Sequence, residues 1–316
     1  MLGGTELWAV VKADAYGHGA LEVARAAVEA GAGALCTATV QEAVALRAEL
    51  PEPRILVMGP VAHAELGIAL ESRLEIAVSG GPVPAGLPVH VKLDTGMGRF
   101  GSRDLPPLTE DIVGLMSHLA TADSDPFFAA EQTARFRAAA EAHPHLTAHL
   151  ANSAAALTVP EARFDAVRCG IALYGLSPFM TDPAEDGLEP VLSWRSELAH
   201  VKRLEPGEST GYGRRFVSDK PTWIGLVPVG YADGFRRDLT GTEVLVDGRR
   251  RRAVGTVSMD SFAVELPGEL PVGTPVTLIG DGVLAEDHAR VAGTINYEIV
   301  CGIRSDPDRA RRVVVG

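Results

Sequence analysis

Three cysteines, Cys36, Cys169 and Cys301, are too few and too scattered for a disulfide framework, and none has the spacing of a metal-ligand set. Each lies in an apolar stretch, so each is expected to be a buried thiol, and no metal is expected. No stretch approaches the ~18 consecutive apolar residues of a membrane-spanning helix. The first residues, Met1 to Val11, lack both a basic residue ahead of an apolar run and a small-residue cleavage pattern. No secretory signal is read there, and the cytoplasm is the expected compartment. Positive charge is also short: a net charge of -12 repels polyanions, so neither nucleic acid nor an anionic membrane is an expected partner. The one basic run, Arg249 to Arg252, follows Asp247-Gly248, a turn pair between the strand-like Val244 to Val246 and Ala253-Val254, and reads as a solvated hairpin.

What is present is length and order. A chain of 316 residues exceeds the roughly 150 of an average domain, and 46% hydrophobic with 22% charged residues is a soluble globular composition. Eight short β-prone runs recur: Leu7 to Lys12, Ala34 to Thr37, Ile55 to Met58, Leu74 to Val78, Val89 to Leu93, Ile112 to Leu119, Thr147 to Asn152 and Ala166 to Gly170. Between the first pairs lie Ala-rich stretches at helical spacing, His18 to Ala30, Val40 to Leu50 and Val61 to Leu74. The alternation predicts an α/β fold, a TIM-like (β/α)8 barrel, shortened because about 180 residues fall below the ~200–250 usual for it. Ser79 to Pro88, with three prolines and three glycines, cannot sustain the helix expected between strands four and five. After Tyr174, Gly and Pro punctuate strand-like runs such as Trp223 to Val229, Ala253 to Met259 and Val276 to Ile279, which predicts a mostly β C-terminal domain. The acidic, proline-containing Leu176 to Pro190 reads as the linker, so the expected domains are residues 1–180 and 181–316.

The chemistry concentrates at predicted strand ends. VKADAYGHG (11–19) ends the first strand with Lys12 and turns through Gly17 into a helix. In a barrel that position faces the active-site mouth, where a desolvated lysine is a nucleophile toward a carbonyl; a snorkelling strand-end lysine is the bland alternative. HVKLDTGMGRFG (90–101) contains G-x-G-x-x-G at Gly96, Gly98 and Gly101, but Pro106 and Pro107 deny it the helix a dinucleotide needs. Its glycines instead shape a loop that brings Lys92 and Arg99 to the mouth. Strand seven ends at Asn152-Ser153 and strand eight at Arg168-Cys169-Gly170-Ile171. A serine hydroxyl and glycine-turn N–H groups after strands seven and eight suit a phosphate, although Ser153 alone could be simply an N-cap.

VKADAYGHG, HVKLDTGMGRFG, HLANSAA, VRCGIALYGLSP, GYG, VGYADGF, VGTVSMD and TINYEI resemble, in order and spacing, the alanine racemase family, from about Leu7 to Arg304. The resemblance implies a barrel that binds pyridoxal 5'-phosphate (PLP), followed by a β domain. Lys12 is then the lysine that carries the cofactor, and Tyr16, Ser153, Gly170, Ile171 and Tyr297 hold its phosphate. Arg168 faces the pyridine nitrogen and disfavours its protonation, and His118 stacks near the ring. Tyr212 is the second catalytic base beside Lys12, while Arg99, Tyr231 and Met259 surround the substrate. Lys92 matches a lysine that the family often carbamylates. The implied activity is conversion of L-alanine to D-alanine for peptidoglycan, in a homodimer where the tyrosine loop of one subunit completes the barrel mouth of the other. Serine as substrate, a PLP-dependent decarboxylase of the same architecture and a non-catalytic PLP-binding protein remain as alternatives. Family members usually carry a strand and a helix before the cofactor lysine, whereas eleven residues precede Lys12 here, which is expected to bear on domain docking, stability and activity more than on fold.

Overall fold

In the computed structural model, which describes residues 3–304 and 306–315, the apolar runs of the N-terminal half pair in parallel and close on themselves. The strands are β1 (Glu6–Val10), β2 (Ala34–Thr37), β3 (Ile55–Val57), β4 (Glu75–Val78), β5 (Val89–Lys92), β6 (Ile112–Met116), β7 (Thr147–His149) and β8 (Ala166–Cys169), bonded in that order with β8 returning to β1. This is the expected barrel. β2, β3 and β8 are buried at every residue, as befits parallel strands covered on both faces. Most expected runs overshoot their strands at the C-terminal end. Lys12, in particular, lies beyond the last β1 pair, Val10 with Cys36, rather than at the strand's end.

Helices α1 (Ala20–Glu29), α2 (Val40–Glu49), α3 (Leu66–Glu71), α4 (Pro126–Ala142) and α5 (Ser153–Thr158) supply crossovers. α4 has a legible start: the Asp125 carboxylate accepts from the N–H groups of Phe127 and Phe128, with Pro126 in the first turn. Its Phe136 is fully buried edge-on against Phe164 at 5.0 Å. The helix expected over Val61 to Leu74 is shorter, a 3-10 turn at His63–Glu65 leading into α3. No helix joins β4 to β5, as the prolines and glycines required. None joins β5 to β6 either, where residues 93–111 run as an irregular loop.

From Tyr174 the chain forms a second compact unit. Its strands are β9 (Trp194–Glu197), β10 (His200–Leu204), β11 (Ser209–Thr210), β12 (Phe216–Val217), β13 (Thr222–Val227), β14 (Glu243–Val246), β15 (Arg249–Val254), β16 (Phe262–Leu266) and β17 (Pro275–Ile279). They form a seven-stranded sheet in the order β10-β13-β16-β15-β14-β17-β9, antiparallel throughout, and a β11-β12 ribbon. Helices α6 (Ala285–Ala292) and α7 (Asn296–Cys301) follow. Asp247 and Gly248 both adopt left-handed φ (50° and 70°) in the β14-β15 hairpin, the geometry that lets a two-residue turn follow the strand twist. Three arginines of that hairpin, Arg249, Arg250 and Arg252, are exposed, with Arg250 paired to Glu243 and Arg252 to Glu265, whereas Arg251 is half-buried, against the solvated run expected. Cys36 and Cys169 are buried as expected, but Cys301 is exposed, because it closes the last turn of α7 on the outer side of that short helix. Among the described residues no helix is long and apolar enough to cross a membrane.

The core of the second unit centres on Phe235, fully buried and stacked on Phe262 at 4.2 Å. Phe235→Ala removes that ring from a packed cluster and should cost about 3–5 kcal/mol. The check is calorimetry: the transition of the β unit should fall well below that of the wild type, and an unchanged transition would refute this account of the core.

Candidate active site

Immediately after β1 the backbone does something few sequences permit. Ala13, Asp14, Ala15 and Tyr16 all lie at left-handed φ (53°, 52°, 52° and 56°), followed by Gly17 at 80°. The turn expected through Gly17 is therefore left-handed from Ala13 onward, and the helix expected from His18 begins at Ala20 as α1. Each non-glycine residue in that region costs roughly 1–2 kcal/mol, so the turn must be held from outside. Glu42 in the first turn of α2 does so. Its Oε1 accepts from the Ala13 N–H at 2.8 Å, while its Oε2 accepts from Ala38 at 2.8 Å and closes a capping box with Thr39. The Asp14 carboxylate accepts from the Ala20 N–H at 2.8 Å, tying the turn to α1. The result is a half-buried Lys12 and a buried Tyr16.

Tyr16 reaches the end of β8. A Cβ on Gly170 would overlap its hydroxyl, so this position accepts no side chain. The buried Ser153 Oγ accepts from the N–H of Gly170 at 2.9 Å and of Ala172 at 3.3 Å. Ser153 is not the N-cap of α5. Asn152 is, with its side chain accepting from the Ala155 N–H at 3.1 Å, which leaves the serine hydroxyl to the strand ends. Tyr16, Ser153, Gly170 and the buried Ile171 thus gather around one small polar cradle.

Above it sits positive charge. Arg168 is 3% exposed and has no carboxylate; its donors go to the carbonyls of Ser117 (2.6 Å), His149 (2.8 Å) and Leu150 (3.1 Å), to Nδ1 of His149 (2.7 Å) and to Nδ1 of His118 (3.3 Å). Burial pulls its guanidinium down to about 10, which leaves it charged at neutral pH. Burial, and then the charges of Arg168 and Lys92, hold His118 well below the ordinary imidazole range, so it is neutral. Lys92 is buried on β5 with its Nζ 5.5 Å from the Phe100 ring. Burial, together with the charges of Arg168, Arg99 and Lys12, lowers its amine to about 8. The Asp94 carboxylate opposes this, and it is engaged by the N–H groups of Gly96 and Gly98, both at 3.0 Å. Arg99 itself is exposed. Lys12, Lys92, Arg99 and Arg168, beside a hydroxyl and N–H cradle, fit an anionic ligand that brings a phosphate.

In the second unit, Tyr212, Tyr231 and Met259 are exposed (73%, 43% and 53%) on linked loops. Thr256 Oγ1 donates to the Tyr212 carbonyl at 2.9 Å, the Tyr231 N–H donates to the Ser258 carbonyl at 3.1 Å, and the Ala232 N–H donates to the Met259 carbonyl at 3.0 Å. Gly230 packs so closely on Met259 that a Cβ there would overlap its backbone. Tyr297 is half-buried on α7. Sequence reasoning missed Glu42, although its Thr-x-x-Glu capping pattern was visible, and missed His149 and His90, whose role depends on which barrel strands face each other.

A parallel barrel whose mouth gathers lysines, a buried arginine and a hydroxyl-lined cradle, followed along the chain by a β unit, defines a two-domain barrel enzyme. Residues 1–178 match the family model for the alanine racemase N-terminal domain, and residues 191–313 that for the alanine racemase C-terminal domain. Similar proteins include the alanine racemase of Geobacillus stearothermophilus, 42% identical over 95% of this chain and 85% of its own, and that of Listeria innocua, 39% identical over 93% and 88%. Among solved structures, alanine racemase from E. faecalis superposes with a TM-score of 0.88 at 37% identity, covering 96% of this chain and 90% of its own. The Streptomyces coelicolor enzyme gives 0.86 at 41% identity, with coverages of 96% and 90%. The chain belongs to the alanine racemase family. It is an amino-acid racemase, and that membership supports alanine as what it racemises.

The depressed amine of Lys92 has a stability consequence. Below pH 8 it is charged in both folded and unfolded chains, and its burial penalty is fully present; between pH 8 and 10.5 only the unfolded chain stays protonated, so folding gains with rising pH. Lys92→Met should therefore stabilise the protein near neutrality by about 2 kcal/mol, allowing for partial solvation. That advantage should fade as the pH climbs from 8 to 10.5. Denaturant titrations across that range check it, and a pH-independent difference would sink the explanation.

Proposed function

We propose that this chain interconverts L- and D-alanine in the cytoplasm, with PLP carried covalently on Lys12, and so supplies D-alanine for peptidoglycan. The observation that carries the reading is the convergence of Lys12, Tyr16, Ser153 and the buried Arg168 at one barrel mouth. When bound there, PLP supplies the electron withdrawal that makes the α-hydrogen of an amino acid removable. Everything else falls to the protein. The Tyr16 hydroxyl, Ser153 Oγ and the backbone of Gly170 and Ile171 receive the phosphate, completed by Tyr297. Arg168, whose guanidinium keeps its protons, offers the pyridine nitrogen a hydrogen bond without a proton, which limits the charge drawn into the ring and favours proton return over side reactions. His118, neutral, lies against the ring.

Racemisation needs a proton removed from one face of the α-carbon and another delivered to the opposite face, so two bases suffice. We assign them to Lys12 Nζ and the Tyr212 hydroxyl. Arg99 meets the substrate carboxylate, and Tyr231 and Met259 restrict the side chain to about the size of a methyl group. An amine lowered to about 8 has a far larger neutral fraction at physiological pH than an ordinary lysine, which suits Lys92 for carbamylation: its nitrogen bonds the carbon of CO2, a proton leaves, and the resulting anion pairs with Arg99. The exposed, loop-borne Tyr212 supports a homodimer in which it serves the barrel of the partner subunit. Arg168 disfavours the decarboxylase reading, which calls for an acid at the pyridine nitrogen.

Purified protein incubated with PLP and L-alanine should produce D-alanine. Borohydride reduction and peptide mapping should label Lys12 and not Lys92, Lys202 or Lys220, and Lys12→Ala should lose label and activity while keeping the fold. Label without turnover would favour a PLP carrier. For the shared site, equal amounts of Lys12→Ala and Tyr212→Phe chains, allowed to exchange, should give about half heterodimers, each with one intact site and one doubly mutated, and so restore roughly a quarter of wild-type activity. Absence of rescue, with heterodimers verified by differential tags, would refute the composite site alone.

A further inference from the structure

Arg168 is one end of a polar row through the barrel. Its Nη1 donates to Nδ1 of His149 at 2.7 Å, Nε2 of His149 lies 2.9 Å from Nδ1 of His90, and Nε2 of His90 lies 2.9 Å from Oε2 of Glu75. Arg54 closes the far end with two hydrogen bonds to the same carboxylate, at 2.8 and 3.0 Å. Strands β8, β7, β5 and β4 contribute one member each, and the row runs from beneath the mouth to Glu75, the first residue of β4 at the N-terminal end of the barrel. Both imidazoles are 0% exposed.

The two ends fix the proton arrangement in between. A guanidinium only donates and a carboxylate only accepts, so the row closes with one pattern. His90 gives its Nε2–H to Glu75 and offers Nδ1 as acceptor; His149 gives its Nε2–H to that nitrogen and offers Nδ1 to Arg168. Burial pushes the Glu75 carboxyl up, but the hydrogen bonds from His90 and Arg54 outweigh it and hold it at about 2, so it is an acceptor at any working pH. Burial and the charge of Arg168 keep His149 well below the ordinary range, which bars a second proton there.

The packing is built for this row. Gly114 on β6 has no side chain where a Cβ would overlap Nδ1 and the ring of His90. The fully buried Trp8 ring packs against His149 at 4.4 Å and His90 at 5.7 Å, and carries the Arg54 guanidinium at 5.0 Å.

We infer that Glu75 is a positioning residue for the racemase site: by accepting from His90 it fixes both histidines in the Nε2–H tautomer and presents the His149 Nδ1 lone pair that anchors the Arg168 guanidinium. Without that acceptor His149 can turn an N–H toward a group that only donates, and a buried arginine then faces a donor where it needs an acceptor. The inference rests on the reading of Arg168 as the group facing the pyridine nitrogen.

Glu75→Gln is the informative change, because one amide oxygen must then serve two donors, His90 and Arg54. When the oxygen turns to Arg54, the amide N–H2 faces His90 and reverses the tautomers along the row. Two-bond 1H–15N spectra of the PLP-loaded protein read this directly. The wild type should show His90 and His149 both protonated at Nε2 only, and Glu75→Gln should show His149 mixed or reversed. kcat should drop by roughly 10-fold or more, as for other outer-shell partners, with KM for alanine nearly unchanged, because Glu75 touches no substrate. The double variant Glu75→Gln/Arg54→Met removes the competing donor, so the oxygen returns to His90, and both the tautomers and most of kcat should recover. Wild-type histidines in any other tautomer overturn the inference, even if no variant folds; so do reversed tautomers with unchanged kcat, and a failure of the double variant to restore either. Loss of the Lys12 adduct from the wild type, with the Nε2–H tautomers intact, would instead overturn the cofactor reading and leave the row standing.

Discussion

The constraint on which the barrel interior depends is a full positive charge buried at Arg168 with no carboxylate beside it. Taking a guanidinium out of water costs several kcal/mol unless its donors are met. Here the Nη donors are met by three carbonyls and two imidazole nitrogens, groups that satisfy hydrogen bonds without cancelling charge. The surplus charge then governs its surroundings. Burial and then this charge keep His118 neutral, and burial with the charges of Arg168, Arg99 and Lys12 depresses Lys92, so the mouth suits an anion. A carboxylate at Arg168 would have been the simpler way to bury it, and would have removed the potential that recommends this site for an anionic ligand.

The left-handed turn after β1 is the second cost. Four consecutive non-glycine residues at positive φ amount to several kcal/mol of local strain. The strain has a geometric return: it carries the chain from Lys12 to Tyr16 in one tight loop and brings the tyrosine hydroxyl against Gly170 on the neighbouring strand end. A right-handed helix starting at Lys12 would direct Tyr16 elsewhere. Glu42 carries the matching load, since the same carboxylate that starts α2 also accepts from Ala13. The barrel tolerates the strain because β1 is anchored on both sides, by β2 and β8, before the turn begins.

Much of the fold could be read from the residues, and the failures are instructive. Eight β-prone runs became eight barrel strands, and Ala34 to Thr37 matched β2 throughout, because strands buried on both faces are continuous apolar runs. The runs overshot where apolar character continues past the last ladder pair into the mouth, as at Ile112 to Leu119, where β6 ends at Met116. Prolines and glycines disclosed the missing fourth crossover helix. The fifth is missing too, and the same Pro106 and Pro107 that argued against a dinucleotide loop could have announced it. Cys301 was misread because an apolar neighbourhood in sequence does not say which side of a short helix a residue occupies. The mouth residues were legible through motifs. The row from Arg168 to Glu75 was not, because His90 and His149 are 59 residues apart and meet only through barrel closure.

On the proposed reading, the chemistry asks for a base that a barrel alone does not supply. Side chains at strand ends rise from the floor of the mouth, so a planar group held there is approached by the barrel from one side. A reaction that takes a proton from one face and returns one to the other needs a base on the far side. On the proposed reading that base is Tyr212, and its local structure suits the role. Gly211, Gly213 and Arg214 all take left-handed φ (78°, 72° and 49°), so the loop folds back on itself and stands its tyrosine out from the β unit. The Tyr212 carbonyl is pinned by Thr256, and Gly211 lies so close to the Thr256 backbone that a Cβ would press against it. The exposed ring therefore stands on a backbone fixed at both of these points. A catalytic group that must meet its substrate from outside its own unit gains from that combination, because a rigid loop loses little conformational freedom when the site assembles.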